Sequence, residues 1–257
     1  FAELFPTEQP NQLKTISNGM GEETTLYYGA LVDEMIRDRE AGNAWDQGVP
    51  IAMQVLKRIE VTDGISDVVQ STNLDYHNGF YHAVEKEFRG FASSQDVSSG
   101  DTSMPSLMTY SQYHLGQENE VLKGLPKSIN VQDAAGNSFL TETQTWNAKK
   151  LLDGAAGETR DVYFAELTQV DKIITEKGAG DGVSLKWEYQ YDNYGNTTLI
   201  KEFGRDGGSW NDERTTINRY SSENASSLGN WMLTFPIESL VLDGSDNIMS
   251  KQQWFYD

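Results

Sequence analysis

Glu85 and Glu87 stand two residues apart in "YHAVEKEFRGF" (81–91). On a strand, side chains at i and i+2 share one face at roughly 6–7 Å, within the range of paired carboxylates that divide acid and base roles. Arg89 falls on the same face, with Phe88 on the opposite one. Acidic and basic neighbours on a strand ordinarily pair with each other, so the reading adopted is that Arg89 neutralises Glu87 and orders a hairpin. The three histidines are His77, His82 and His114. A zinc ion needs three or four converging ligands. His77 and His82 flank an expected "HNG" turn with Asp75 and Glu85 close in sequence, a set compatible with a surface site, but no metal is assigned to it.

A second set of polar residues recurs three times. "DAAGN" carries Asp133, Gly136 and Asn137, "DNYGN" carries Asp192, Gly195 and Asn196, and "DGSDN" carries Asp243 and Asn247. Calcium would need more carboxylates at the spacing of a dedicated loop; "DAAGN" has one. Turn chemistry fits better. The Asp accepts backbone N–H groups two residues on, and Gly or Asn tolerates the left-handed backbone of a short hairpin loop. These eight residues are read as structural turns.

Other reaction centres lack their signatures. There is no G-x-S-x-G elbow, no phosphate-cradling glycine motif and no cysteine for a thiolate or disulfide. No catalytic residue, cofactor or metal ligand is assigned, and the chain is not expected to be an enzyme. Its 39 acidic against 20 basic residues give a net charge of −19, which repels nucleic acid and an anionic membrane surface. No run approaches the roughly 18 apolar residues of a membrane span, so membrane insertion is not expected either. Trp187, Tyr189 and Tyr191 recur at every second position. They would form a sugar-binding platform if exposed, or cross-strand packing if covered.

The elements that must position these residues are strands. Alternating or β-branched and aromatic runs predict strands at 24–31, 53–63, 127–133, 183–192, 196–204, 214–220 and 237–243. Between them, "SNGMGEE", "SSGDTS" and "RDGGSWND" predict turns or loops. One short helix is expected over 31–41, on the spacing of Leu31, Met35 and Ile36. A second candidate spans 146–157, "WNAKKLLDGAAG". Leu125-Pro126, Val131, Asp133 and Asn137 align in order with Phe235-Pro236, Val241, Asp243 and Asn247, a repeat with unequal units. The fold class expected is all-β, a long antiparallel β-hairpin strip with one or two short helices. The chain opens "FAELFPTEQP", with no basic and apolar leader pattern, and ends "KQQWFYD" inside an expected strand; it is read as a piece of a longer polypeptide.

Residues 76–91, "YHNGFYHAVEKEFRGF", resemble the "Y-x-x-G-Y-Y-D-x-x-E-R-E-F-R-G-F-G" signature of RHS/YD-repeat proteins, and more specifically the middle region of the B component of insecticidal toxin complexes (Tc toxins) and SpvB-like proteins. The matching positions are Tyr76, Gly79, Tyr81, Glu85, Glu87, Phe88, Arg89, Gly90 and Phe91. "LKTISNGMGEETTLYYG" (13–29) and "RDREAGNAWDQGVPIAMQVLKRIEVTD" (37–63) resemble further stretches of that region, and "YQYDNYGNTTLIKEFG" (189–204) resembles a YD repeat. His82, Lys86, Ala92, Ala44 and Val49 depart from the residues common in the family. The resemblance divides the chain into a B-component middle-like region at 1–122 and an RHS/YD-repeat-like hairpin region at 123–257.

The resemblance implies a structural β-shell segment of a secreted toxin that helps encapsulate a toxic C-terminal polypeptide. Its partners would be other segments of the same shell, the enclosed polypeptide and a translocation channel component. A reading from another class is a carbohydrate-binding or cell-surface adhesive β-module, built on the Trp187 ladder. An acidic glycosidase built on Glu85 and Glu87 ranks below both.

Overall fold

Period-two patterning governs the described chain, which folds as antiparallel β-structure. The computed structural model describes residues 12–256 except 65, 67, 102, 154–160, 177–181, 206–211, 225–228 and 230. The chain divides into one unit of Phe1–Tyr110 with Asp133–Ala135 and another of Ser111–Gln132 with Gly136–Asp257.

The first unit contains β1 (Thr15–Ser17), β2 (Glu22–Ala30), α1 (Leu31–Glu40), β3 (Gln54–Asp63), β4 (Val68–His82) and β5 (Glu87–Ser98). Each strand pairs antiparallel with the next. Strand β6 (Leu107–Tyr113) follows. The second unit is built from β7 (Pro126–Asp133), β8 (Ser138–Leu152), β9 (Val162–Ile174), β10 (Val183–Tyr191) and β11 (Thr197–Arg205), then β12 (Arg214–Tyr220), β13 (Pro236–Asp243) and β14 (Ile248–Gln253). Here too every pairing is antiparallel between sequence neighbours. The all-β hairpin strip expected from the sequence is borne out, and all seven predicted strands are present as β2, β3, β7, β10, β11, β12 and β13.

Helix α1 carries Asp33 and Glu34 in its first turn and Arg37 and Arg39 in its last, the order that complements the helix dipole. It stops at Ala41-Gly42, where Gly42 takes φ +84° and its N–H donates to the Arg39 carbonyl. The buried line is Leu31, Glu34 and Asp38. Met35 packs against the core, whereas Ile36, expected on the inner stripe, is exposed. The core of this unit is Leu31, Val49 and Val55, with Trp45, Tyr76, Tyr81, Phe88 and Phe91 packed around them. In the second unit the buried apolar side chains among the described residues are Leu115, Leu122 and Val170.

Two expectations are corrected. The candidate helix at 146–157 is strand as far as Leu152, with residues 154–157 outside the described residues. β8 is paired on both edges, by β7 and β9, and the Trp146 indole N–H donates to the Pro126 carbonyl at 2.9 Å. Two ladders of backbone hydrogen bonds outweigh the helix propensity of "AKKLL". The "HNG" segment is not a turn. β4 runs through it, absorbing Asn78 at φ +50° and a register shift between Gly79 and Tyr81 as a β-bulge. The chain reverses later, at 83–86, with Lys86 at φ +54°. Glu85 therefore lies in the turn and does not share a strand face with Glu87 and Arg89. Most of the expected "RDGGSWND" loop, 206–211, lies outside the described residues.

Candidate functional site

The densest set of ionisable side chains forms under α1, where the helix meets β3 and β4. Glu34 and Asp38 are one helical turn apart and only 2 % and 4 % exposed. A buried carboxylate needs pairing and hydrogen bonds to stay charged, and both have them. Glu34 Oε1 accepts from Lys57 Nζ at 2.5 Å. Its Oε2 accepts from Arg37 Nη1 at 2.5 Å and from the Tyr76 backbone N–H at 3.0 Å. Asp38 Oδ1 accepts from Arg37 Nη2 at 2.8 Å, and its Oδ2 from the Trp45 indole N–H at 2.7 Å. His77 Nδ1 lies 2.8 Å from the same Oδ2. Asp75 on β4 closes the network, its Oδ1 2.6 Å from Arg37 and 2.7 Å from Lys57.

The electrostatics follow from this crowding. Burial pushes the Asp38 carboxyl up, but hydrogen bonds from Trp45, Arg37 and His77 outweigh it and hold the group below the usual carboxylate range. Arg37 is penalised by burial, yet Asp38, Glu34 and Asp75 raise it further above its already high value. All four carboxylate oxygens of Glu34 and Asp38 are engaged. The cluster is a clamp that seats α1 on the sheet.

The residues matching the family signature surround this clamp. At Gly79, an added Cβ would lie 2.7 Å from the Trp45 ring and 3.3 Å from Phe88, so the bare backbone admits the indole. Gly90 adopts φ +99°, a left-handed region that glycine enters without strain. Phe91 contacts three rings: Tyr76 at 4.7 Å, Phe88 at 5.2 Å and Trp45 at 6.1 Å between centroids. The Tyr81 carbonyl accepts from Gln47 Nε2 at 2.9 Å. The Arg89 side chain is buried, with Nε 3.2 Å from Glu87 Oε2. Glu85 is exposed, and its backbone N–H donates to His82 Nδ1 at 3.1 Å.

The three Asp-led segments all sit at strand reversals. Asp133 Oδ1 accepts from the Ala135 N–H at 2.9 Å; Gly136 takes φ +84° and Asn137 leads into β8. Asp192 Oδ1 accepts from the N–H groups of Tyr194 and Asn196 at 2.8 and 3.0 Å. Asp243 Oδ1 accepts from Ser245 and Asn247, each at 2.9 Å. Gly195 repeats φ +84° and packs on the Phe164 ring, 3.1 Å from an added Cβ. The middle turn is also gripped from elsewhere in its unit: Ser222 Oγ donates to Asp192 Oδ2 at 2.9 Å, and Asn196 Nδ2 to the Leu233 carbonyl at 2.8 Å.

The remaining candidates do not converge. Among the described residues, no group of three or more histidine and acidic side chains could hold a metal ion; His77 serves Asp38 and His82 serves the Glu85 turn. His114 lies apart, its basicity lowered by burial and by Lys127. In the aromatic ladder, Trp187 Nε1 is 3.4 Å from Glu202 and Tyr191 donates to the Leu167 carbonyl at 3.1 Å. Tyr191 also meets Phe164 edge-on at 5.5 Å. These rings are half-buried packing residues. Sequence reasoning missed Glu34, Asp38, Lys57 and Trp45. The available signal was an acidic pair one helical turn apart on the face that begins with Leu31.

Residues 3–119 match the family described as insecticide toxin TcdB middle/N-terminal region. The fold is shared with solved structures at low identity. The crystal structure of TcdB2-TccC3 matches with TM-score 0.68 at 16% identity, covering 90% of this chain and 15% of that one. The crystal structure of TcdB2-TccC3-Cdc42 matches with TM-score 0.69 at 15% identity and the same coverages. The Photorhabdus luminescens Tc holotoxin pore matches with TM-score 0.71 at 16% identity, again over 90% of this chain and 15% of that one. This chain therefore spans about 15% of the length of the solved chains it matches. No curated protein gives a significant match. The resemblance to the middle region of a Tc-toxin B component is borne out by the family match and by the shared fold.

Proposed function

We propose that this chain, similar over residues 3–119 to the TcdB middle/N-terminal region, is a wall segment of a β-shell in a secreted toxin complex. In this reading the completed shell, of RHS/YD-repeat type, encloses a toxic C-terminal polypeptide. The observation that carries it is the antiparallel strip in chain order within each unit, with the buried Glu34 and Asp38 of α1 paired to Lys57, Arg37 and His77. In this reading the strip serves as contact area. The segment works without an active site, cofactor or metal of its own. Its partners are neighbouring shell segments, the enclosed polypeptide and a translocation channel component, in keeping with the toxin assemblies named in the matched structures.

The test is made in the full-length protein within its assembled complex. Trp45→Ala empties the packing space beside Gly79 and cuts the bond to Asp38, loosening this segment. Limited proteolysis of the C-terminal polypeptide is then compared with the unaltered complex. A wall predicts protection in the unaltered complex and faster digestion in the variant. Rapid digestion in both, or equal protection despite a loosened segment, would reject the reading.

A further inference from the structure

We propose that Asn18 is a site of self-modification, where the folded chain converts its own side-chain amide to aspartate and isoaspartate through a cyclic imide with the Gly19 nitrogen. The reaction needs no enzyme. Solvent hydroxide takes the Gly19 N–H proton, and the freed lone pair attacks Asn18 Cγ. The Cγ–Nδ2 bond then breaks, Nδ2 takes a proton from water and leaves as ammonia, and a succinimide ring closes. Water opens the ring at either carbonyl. Opening at the side-chain carbonyl gives aspartate on a normal backbone. Opening at the main-chain carbonyl leaves isoaspartate, whose backbone runs through Cβ and Cγ.

The reversal between β1 and β2 assembles what this reaction needs. Asn18 Oδ1 accepts from the Met20 N–H at 2.7 Å and from the Glu22 N–H at 3.2 Å. Both donors are aimed at the oxygen on which negative charge develops as nitrogen adds to Cγ, and donors fixed in advance stabilise such charge. The departing Nδ2 has no hydrogen-bond partner among the described residues. Gly19 takes φ +73°, and an added Cβ would meet nothing within 4 Å, so no side chain crowds the nucleophile. Its N–H is held only by Ser17 Oγ, at 3.3 Å. Residues 18–21 are all exposed, open to the hydroxide that starts the reaction and the water that ends it.

The same dipeptide at Asn78-Gly79 is built the opposite way. Asn78 Nδ2 donates to Asp46 Oδ2 at 2.5 Å and its Oδ1 accepts from the Asp46 N–H at 3.0 Å, so the leaving amide is held at both ends. Gly79 is buried, with the Trp45 ring 2.7 Å from an added Cβ, which keeps base and water from its nitrogen. One Asn-Gly pair is therefore reactive and the other protected, by fold and not by sequence. Isoaspartate at 18 adds a carbon to the backbone between the Ser17↔Glu23 pair of the β1–β2 ladder and removes the Oδ1 acceptor from Met20 and Glu22. The hairpin reversal loosens with age. This inference stands apart from the wall reading.

The test holds the intact, folded chain in mildly alkaline buffer made with oxygen-18 water. Tryptic fragments 15–37 and 59–86, which carry the two dipeptides, are then followed by mass spectrometry. The expected result is heavy-oxygen uptake and isoaspartate at Asn18 at least about tenfold faster than at Asn78, a barrier difference of ~1.4 kcal/mol. In urea the two rates should converge, because the fold alone separates them. Asn18→Gln, whose longer side chain cannot close the same ring, should leave fragment 15–37 unlabelled. In the isoaspartate form, hydrogen exchange at the Met20 and Glu22 amides should accelerate. Three outcomes overturn the proposal: no conversion of Asn18 in the folded chain, equally fast conversion of Asn78, or unchanged exchange at Met20 and Glu22 once isoaspartate has formed.

Discussion

The Trp45 indole N–H donates to Asp38 Oδ2 at 2.7 Å, so the ring that Gly79 admits to the core is fixed by a carboxylate of helix α1. Packing and charge are thereby coupled: the helix cannot leave the sheet without disturbing the indole. Replacing Asp38 by alanine removes the acceptor for Trp45 and leaves Arg37 and His77 short of a partner. Breaking a buried pair from one side costs ~3 kcal/mol. The expected result is a lowered urea midpoint, with a change in tryptophan emission before the main transition; an unchanged midpoint would mean that the clamp is not holding α1.

Gly79→Ala places a methyl 2.7 Å from the Trp45 ring, where the neighbour is a packed aromatic and not a flexible chain end. Overpacking of this kind costs about 1–3 kcal/mol. Gly136→Ala offers a contrast. It meets no neighbour within 4 Å but sits at φ +84°, so its cost is backbone strain alone, about 1 kcal/mol. Thermal melts of the two variants separate the effects, since only Gly79→Ala should alter the near-ultraviolet signal of the aromatic cluster.

These two sites also show what could be read from the chain. The strands were legible because each alternates or is rich in β-branched residues, and "RTTINRY" became β12 with the expected bounds. The aromatic and glycine positions of 76–91 were legible as a signature, but not as the seat of Trp45, which lies far upstream in the chain. Helix α1 was found and its inner face was not. Apolar spacing does not mark this face, because Glu34 and Asp38 are buried by pairing with Lys57, Arg37 and His77. The "HNG" segment misled because its turn composition is used here for a bulge. "WNAKKLL" misled because propensity is local while its partners, β7 and β9, are not.

Acid should loosen the clamp. Asp38 is held below the ordinary carboxylate range in the fold, so the unfolded chain binds its proton more readily than the native one. The resulting stabilisation is complete above the unfolded value of ~3.9 and is lost as pH falls through the lower folded value. Asp192 is shifted in the same direction: burial opposes the shift, while Asn196, Tyr194 and Ser222 drive it. Urea midpoints measured from neutral pH down through the carboxylate range should fall at the acid end. Asp38→Asn, which has no proton to gain, should fall less steeply there than the unaltered protein.

Glu85 and Glu87 should behave unlike each other. Glu87 lies beside the buried Arg89 guanidinium, so Glu87→Gln weakens a charge-assisted contact and should cost ~1 kcal/mol. Glu85 is exposed in the turn, and Glu85→Gln should lower the thermal midpoint less than Glu87→Gln does. A catalytic pair would give another pattern: both variants stable, both losing hydrolysis of a glycoside substrate. Observing that joint loss would overturn the structural assignment of the two carboxylates.

The Asp-led turns should differ in the same manner, through what each touches. Asp192→Ala removes the acceptor for two backbone N–H groups, the Asn196 amide and the Ser222 hydroxyl. It also releases the β12–β13 loop from the turn. With several partners left unsatisfied in a partly buried place, the cost should be about 2–3 kcal/mol. Asp243→Ala removes bonds from Ser245 and Asn247 within its own, exposed turn, where solvent replaces the lost acceptor. Its cost should be clearly smaller. Hydrogen exchange distinguishes the cases: Asp192→Ala should accelerate exchange at the Ser221 N–H, which donates to the Phe235 carbonyl across the released loop, whereas in Asp243→Ala the change should stay at Ser245 and Asn247. Equal destabilisation and equally local exchange would mean that the grip of Ser222 and Leu233 on the middle turn contributes nothing to its stability.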